Sequence, residues 1–275
     1  MTMRTSLFSV ACVAGMLWAN IAHAVGAGDV LQALRFSQIA EILAEEGQGH
    51  GQSIQDQMFP GRGGPSWEGV VGTIYDADRL QTEMQDALAV ELSEEDMVAI
   101  IEFFQGETGA QFVVLEEEAR RAMMDDAADE AARATYAQMA ADEDPRVDIL
   151  RKFIEVNNLV DLNVANALNA NFAFYRGLEE GGVPLQMGEE DMLREVWSQE
   201  ADIRADTTEW VFSYLALAYA PANDADLQSY IDFSQSPAGR SLNIALFAGF
   251  DRSFSRVSRE MGFAAARFMD AGEDI

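Results

Sequence analysis

The 275-residue chain has almost no cysteine and histidine, and this scarcity excludes several kinds of site. Its one cysteine, Cys12, and one of its two histidines, His23, lie within the first 24 residues. The rest of the chain therefore has neither a disulfide nor a thiol nucleophile. Structural zinc sites need several His or Cys ligands, and a Ser–His–acid triad would depend on His50, which lies in a glycine-rich segment without a nucleophile elbow. We expect no catalytic residue, no metal site and no cofactor.

Basic residues are also scarce. The chain has 18 Lys and Arg against 47 Asp and Glu, which gives a formal net charge of −29 at pH 7. Such a charge repels phosphates and leaves no basic face to release counterions, so nucleic acid is excluded as a partner. We interpret the acidic excess as a solvated surface that keeps the protein dispersed.

Acidic residues are so frequent that the spacing between carboxylates carries no information about a paired site. We interpret the acidic runs at 116–118, 125–126 and 142–144 as solvated faces and helix ends. None of these runs has the spacing of an EF-hand loop, although loose calcium binding stays an alternative. A hydrolase that uses two carboxylates is a second alternative that the sequence leaves open.

The chain also has no long apolar run, and the longest of its short apolar runs lies near its start. Arg4 precedes an uncharged, mostly apolar run at 7–18, and Ala22-His23-Ala24 has the small-x-small pattern that signal peptidase accepts. A membrane-spanning helix needs roughly 20 apolar residues, so this run is too short. We predict a secretory signal at 1–24, cleaved after Ala24, and a periplasmic location.

What the chain does contain is a repeat, because the pattern at 92–112 recurs at 222–242. With a shift of 130, five of these 21 positions are identical: Asp96/Asp226, Ile101/Ile231, Phe103/Phe233, Gln105/Gln235 and Gly109/Gly239. Ordinary residue usage would give roughly one or two identities. The same shift places Trp67 on Trp197. We infer an internal duplication, with a first unit at 25–144 and a second unit at 145–275, joined at the acidic stretch that Pro145 closes.

Each copy of the repeat predicts two helices that meet at a corner. Ser93 and Asn223 are good N-cap residues, and apolar residues follow at helical spacing. Each helix then breaks, at 106–109 and at 236–239, and Gly109 and Gly239 fall in the first turn of the next helix. We expect these glycines to allow close backbone contact at the corner, and contact with a ligand is the alternative.

The regions before each corner also predict helices, and the chain shows no alternating strand pattern. Long helices are expected at about 66–90 and 188–219, and glycine-rich connections at 45–52, 59–65 and 177–184. The predicted fold is therefore all-α, with two homologous helical-bundle units.

The corner pattern resembles a bacterial family of exported helical proteins, family 2059 of the domains of unknown function. The resemblance depends on 223–242 and, more weakly, on 93–112. The family motif usually ends with a lysine after the glycine, where this chain has Gln111 and Ser241 nearby. The resemblance implies an exported α-helical domain. It brings no known activity and no catalytic residue.

One segment, 238–269, is basic within this acidic chain. It has five arginines against Asp251 and Glu260, and its large apolar residues recur at near-helical spacing. An amphipathic basic helix of this kind can lie on an anionic membrane surface, which would make peripheral membrane contact through 238–269 part of the function. It can equally pack against the acidic remainder of the protein, and this is the interpretation we favour.

The functional expectation is a non-enzymatic periplasmic protein that binds a partner protein or an apolar small-molecule ligand between its helices. A duplicated unit creates a cleft at its pseudo-two-fold interface, and the candidate cleft residues are Trp67, Trp197, Phe103 and Phe233. For the two tryptophans, pairing in the core is the alternative and the preferred interpretation. The rival functions are an envelope-associated protein that uses 238–269 at the membrane, and the carboxylate hydrolase.

The first prediction concerns export. We expect the protein recovered from a periplasmic extract to begin at Val25, because the predicted cleavage site follows Ala24. Intact-mass measurement checks this directly. A protein that keeps residues 1–24, or that is found in the cytoplasm alone, would contradict the predicted signal.

Overall fold

Helices account for nearly all of the chain that the computed structural model describes, which is residues 25–270. The predicted signal at 1–24 lies outside the described residues. Residues 25–270 contain no strand, so the prediction of an all-α fold is confirmed. The helices, numbered in chain order, are α1 (Ala27–Ala33), α2 (Phe36–Met58), α3 (Gly64–Ile74), α4 (Ala77–Glu91), α5 (Glu94–Gln105), α6 (Glu107–Ala122), α7 (Asp126–Ala141), α8 (Pro145–Val156), α9 (Leu159–Glu180), α10 (Glu189–Ser198), α11 (Glu200–Tyr219), α12 (Asp224–Gln235) and α13 (Pro237–Asp270).

The two predicted corners have nearly the same geometry. At the start of α5 the Ser93 side chain accepts a hydrogen bond from the backbone N–H of Asp96, and at the start of α12 Asn223 accepts one from Asp226. Both helices have 12 residues. They end at Gly106 (φ −69°, ψ 161°) and at its counterpart Ser236 (φ −67°, ψ 162°), so the chain turns the same way into α6 and into α13.

Neither corner has room for a side chain at its glycine. A Cβ on Gly109 would lie 2.2 Å from the carbonyl oxygen of Phe103, and a Cβ on Gly239 would lie 2.1 Å from that of Phe233. Both distances are far below van der Waals contact. Glycine is therefore required at both positions, because the first turn of each new helix touches the backbone of the helix before it.

The two units share their cores. Helix α6 of the first unit packs against α11 and α12, while α13 of the second unit packs against α4 and α5. One core cluster accordingly joins Met84 of α4 to Val257 and Met261 of α13, and a second joins Phe112 of α6 to Tyr219 of α11. The turn between α7 and α8 divides the sequence at 144–145, but the hydrophobic core continues across that boundary.

The expected glycine-rich connection at 45–52 is wrong, because these residues lie inside α2. A Cβ on Gly47 would lie 2.3 Å from the ring of Tyr75, and one on Gly51 would lie 2.6 Å from Val71. These glycines bring α2 close to α3 and to the residue that follows α3. His50 accordingly lies on the exposed side of a helix and not in a loop.

Glycines also allow close contact between α9 and α13. The predicted connection at 177–184 begins four residues too early, because α9 continues to Glu180. Gly177 is still helical, and a Cβ there would lie 2.0 Å from the carbonyl oxygen of Arg259. From the other side, a Cβ on Gly262 would lie 2.2 Å from the carbonyl oxygen of Phe174. Helices α9 and α13 therefore meet backbone to backbone. The connection at 59–65 is confirmed in part, since Gly61 and Gly63 have positive φ angles in the turn before α3.

The long helices expected at 66–90 and 188–219 are each interrupted once. The first breaks into α3 and α4 at Asp76, whose side chain accepts a hydrogen bond from the backbone N–H of Arg79 and so caps α4. The second breaks into α10 and α11 at Gln199. Asp76 is a local N-cap signal, but the apolar periodicity of the segment alone does not reveal the break there.

The fold predicts opposite effects for alanine at two kinds of helical glycine. Gly109→Ala or Gly239→Ala should lower the free energy of unfolding by about 3 kcal/mol, since each Cβ would overlap a backbone carbonyl oxygen. Gly49→Ala is the matched control within α2, where a Cβ meets nothing within 4 Å. It should raise stability by about 0.5–1 kcal/mol through helix propensity. Urea unfolding of the three variants measures this, and equal effects at all three glycines would contradict the corner geometry.

Candidate functional site

The two phenylalanines predicted for the cleft meet at the junction of the units. The rings of Phe103 and Phe233 are stacked with centroids 4.0 Å apart and an interplanar angle of 5°. Phe104 and Tyr230 pack edge-on to each other beside them, with centroids 5.9 Å apart. The equivalent corners of the two units are therefore in direct contact through aromatic side chains.

The two tryptophans predicted for the same cleft lie in different surroundings. Trp67 is 1% exposed, lies edge-on to Phe59 and Phe268, and donates its indole N–H to the carbonyl oxygen of Gly51 at 2.8 Å. Trp197 is 64% exposed on α10. Trp67 is therefore a core residue, as the preferred interpretation expects, but Trp197 is not, and the two tryptophans neither pair nor share a cleft.

The exposure of Trp197 has a simple cause in helix geometry. Helix α10 has only ten residues, and it buries the face that carries Met192 and Val196. These two positions are four residues apart and lie on one side of the helix, so the next residue, Trp197, projects about 100° away toward solvent.

A cavity of about 540 Å³ lies beside Phe233, between the two units. Helices of both units line it, including α2, α5 and α6 from the first and α8, α9, α11, α12 and α13 from the second. Most of the lining is aromatic or aliphatic, with Phe104, Phe153 and Phe250 among its members. Of the four candidate cleft residues, Phe233 lines this cavity and Phe103, Trp67 and Trp197 do not; the tryptophan in the lining is Trp210 of α11.

Glu116 of α6 lines this cavity, which corrects the interpretation of 116–118 as a solvated face. The hydroxyl of Tyr219 donates to Glu116 Oε1 at 2.6 Å, and the hydroxyl of Tyr214 donates to the Glu116 backbone carbonyl at 3.0 Å. In contrast, Glu117 pairs with Arg35 at 2.8 Å and Glu118 is exposed. One of three consecutive glutamates is thus turned into the interior.

Helix periodicity carries the signal that identifies Glu116. Phe112 and Ala119 are buried on α6, and Glu116 lies four residues after the first and three before the second. Residues at these spacings share one face of a helix, so Glu116 belongs to the buried stripe. When the three glutamates are grouped as one acidic run, their different positions around the helix are ignored.

Burial raises the pKa of the Glu116 carboxyl to about 7, and hydrogen bonds from Tyr219 and Tyr230 lower it in part. Burial also raises the pKa of Tyr219 and Tyr230 well above 10, so both hydroxyls keep their protons near neutral pH. Within residues 25–270, hydroxyl groups and not basic side chains approach this carboxylate. Glu116 is therefore the group in the cavity whose charge changes near pH 7.

The nearest basic residue along the helix, Arg120, is already paired. Its guanidinium donates from Nε and Nη2 to the two carboxylate oxygens of Glu46, each at 2.7 Å. The guanidinium carbon also lies 5.4 Å from the ring centroid of Trp210. This bidentate pair neutralises Arg120 and joins α6 to α2, so it leaves the charge of Glu116 unmatched.

The basic segment 238–269 lies within α13, and its apolar side faces the core. Phe250, Phe254 and Phe268 pack against buried residues of the first unit. Two of the arginines bind acidic side chains of other helices: Arg256 reaches Glu83 at 2.6 Å, and Arg259 reaches Glu180 at 2.8 Å. These contacts support packing against the acidic remainder over exposure of the apolar side to a membrane.

A broader groove of about 1070 Å³ runs along the outer side of α13, between α3 and α9. Arg256, Arg259, Glu180 and Glu260 line it, and these four form ion pairs with acidic or basic neighbours. Most of the charged side chains in this groove are thus paired with side chains of opposite charge in the same protein.

Two further findings concern the part of the chain that the structure describes. No single helix there is long and apolar enough to span a membrane, and α5 and α6 reach these limits only as a pair bent by 78°. No three His, Cys, Asp or Glu side chains of residues 25–270 are grouped so that they could hold a metal ion.

Comparison with known proteins identifies one family. Residues 78–138 match the family model described as "Uncharacterized protein conserved in bacteria (DUF2059)". The matched region extends from α4 into α7 and includes the corner at 93–112, so the predicted resemblance is confirmed for the first unit. The second corner, at 223–242, lies outside the match. No curated protein and no solved structure matches the chain significantly.

The raised pKa of Glu116 predicts how stability depends on pH. An acid whose pKa is higher in the folded state stabilises the fold below its unfolded pKa of about 4.5, and this stability is lost as the pH rises through about 7. Glu116→Gln removes the ionisable group, so between pH 5 and pH 8 the parent should lose about 2 kcal/mol relative to the variant. Glu118→Gln, which changes an exposed neighbour, should show no such pH dependence. Urea unfolding at both pH values measures the difference, and parallel curves for all three proteins would contradict the buried carboxyl.

Proposed function

We propose that this protein is an exported, non-enzymatic binding protein that holds an apolar small-molecule ligand between its two units. The observation that carries this proposal is the cavity of about 540 Å³ at the junction. Ligand sites typically measure about 300–1,000 Å³ and combine an apolar lining with a few polar groups. This cavity has both properties, since aromatic rings surround Glu116 and several side-chain amides. The signal pattern at 1–24 supports export.

We also infer that the two units derive from one duplicated unit. The equal lengths of α5 and α12, their matching caps and the two glycine corners support this inference beyond the sequence identities. The copies have diverged downstream, because α6 ends at Ala122 before a separate α7, whereas α13 continues without a break to Asp270. A ligand at the junction would touch elements from both copies.

The rival functions have less support. A hydrolase of the two-carboxylate type needs a second acid within about 5–10 Å of the first, on the other side of its substrate. Among the described residues that line the cavity, Glu116 is the only acidic one, and its partners are tyrosines. Attachment to a membrane through 238–269 would need apolar residues of α13 that here pack in the core.

Native mass spectrometry of residues 25–275, purified gently from a periplasmic extract, tests the proposal. We expect an added mass that disappears on denaturation. Ala167→Phe should abolish it, because Ala167 lines the cavity on α9 and the larger ring fills the space. Ala165→Phe is the matched control, since Ala165 is exposed on the same helix and should leave the added mass unchanged. A clean protomer mass for the parent protein, or an added mass that survives Ala167→Phe, would contradict a ligand in this cavity.

A further inference from the structure

Four asparagines line the cavity, and each already uses one of its two side-chain N–H bonds within the protein. Each Nδ2 donates to a backbone carbonyl oxygen: Asn157 to Phe153 at 2.9 Å, Asn163 to Leu159 at 2.7 Å, Asn166 to Phe247 at 3.4 Å and Asn243 to Asn157 at 3.0 Å. A carbonyl oxygen can only accept, so the nitrogen of each amide must face it. Each amide then keeps one N–H donor and an oxygen with two acceptor lone pairs, so acceptor capacity exceeds donor capacity.

The other polar groups of the cavity show the same bias toward acceptors. The hydroxyls of Tyr214 and Tyr219 donate to Glu116, and Arg120 is held by both oxygens of Glu46. A carboxylate has about four lone-pair positions, so hydroxyl donors leave part of Glu116 free to accept further hydrogen bonds. These tyrosines, this arginine and the asparagines together have more acceptor than donor capacity for a ligand.

The charge of the site favours a cation in the same way. Glu116 has hydroxyl partners and no basic partner among the described residues, and the whole chain has a net charge of −29. Aromatic rings border the cavity, among them Phe153, Trp210 and Tyr230, and the face of an aromatic ring attracts an ammonium group. An anionic head group would meet the carboxylate and find no free arginine.

We propose that the cavity binds an apolar organic amine, with its ammonium group on Glu116 and its apolar body against the aromatic lining. The asparagine oxygens accept hydrogen bonds from any further N–H or O–H groups of the ligand. This inference depends on the proposed function, because it names the ligand class of the same cavity. It goes further in assigning Glu116 as the residue that selects the charge of the ligand.

Three probes with the same chain and different heads test the assignment: octylammonium, octanol and octanoate. Calorimetric titration of residues 25–275 at pH 8 should show octylammonium binding at least about tenfold more tightly than octanol, and octanoate binding most weakly. Glu116→Gln keeps the volume of the side chain and an acceptor for Tyr219. It should weaken octylammonium binding about tenfold and leave octanol binding within about twofold.

Glu118→Gln is the matched control, since it removes the same charge from the exposed side of α6. It should leave the binding of all three probes unchanged. An equal loss in both variants would overturn the assignment, because the preference would then come from the overall acidic charge. Urea unfolding of each variant at pH 8 confirms that the protein titrated is folded.

The pH dependence gives a second readout. The groups that face Glu116 are Tyr214 and Tyr219 from α11 and Tyr230 from α12, with the Arg120–Glu46 pair nearby, and burial raises the pKa of all three tyrosines. Between pH 8 and pH 6 the charge of Glu116 is thus the one that changes, because its pKa is about 7. Octylammonium affinity should fall about tenfold over this range in the parent and stay level in Glu116→Gln.

The outcomes separate this inference from the function on which it depends. Equal affinity for the three probes, all lost in Ala167→Phe, would overturn selection of an amine and keep the cavity as an apolar site. Failure of all three probes to bind would overturn both. Tight octylammonium binding that requires Glu116 and weakens below pH 7 supports the assignment.

Discussion

The contact between the two glycine corners is the constraint on which the rest of the structure depends. Because Gly109 and Gly239 have no side chain, α6 and α13 can each begin against the backbone of the helix before them. This brings Phe103 and Phe233 face to face at 4.0 Å. The stacked rings fix how the units meet, and they direct α6 into the second unit and α13 into the first. A side chain at either glycine would move the start of a helix that the opposite unit uses as part of its core.

Packing of helices across the two units accounts for the cavity at the junction. Helices α6 and α13 each pack within their own unit, α6 on α5 and α13 on α9, and both also pack on helices of the other unit. The space between these helices is bordered largely by aromatic and aliphatic side chains, and a volume of about 540 Å³ stays open. The same register turns Glu116 inward, where it loses solvation. Burying a carboxyl without a cationic partner lowers stability near neutral pH, so this position favours a role in binding over a role in folding.

Close backbone contacts through glycine recur through the fold and account for the main errors of prediction from sequence. Glycines at 47, 51 and 177 suggest loops when they are counted as helix breakers, yet each lies in a helix that has a neighbour within contact of its backbone. The loss of helix propensity, about 1 kcal/mol per glycine, is offset by packing that no larger residue permits. Trp67 and Trp197 show that matching positions in the sequence do not predict equal burial, since their exposed fractions are 1% and 64%. Burial depends on which helix covers the position, and the two units differ in this respect.

Local signals in the sequence determined the all-α class, the caps of α5 and α12 and the two corners, because capping, apolar periodicity and proline or glycine at a break act over fewer than about ten residues. The same signals place Phe103 and Phe233 at equivalent positions of the two predicted copies. Only the tertiary structure decided that helices of each unit also pack on the other, that Glu116 and not its neighbours faces a cavity, and that Trp210 is the tryptophan there. These features arise from contacts between residues far apart in the chain, such as the hydrogen bond between Tyr219 and Glu116, which are 103 positions apart. Their geometry depends on how whole helices pack, which short-range patterns do not encode.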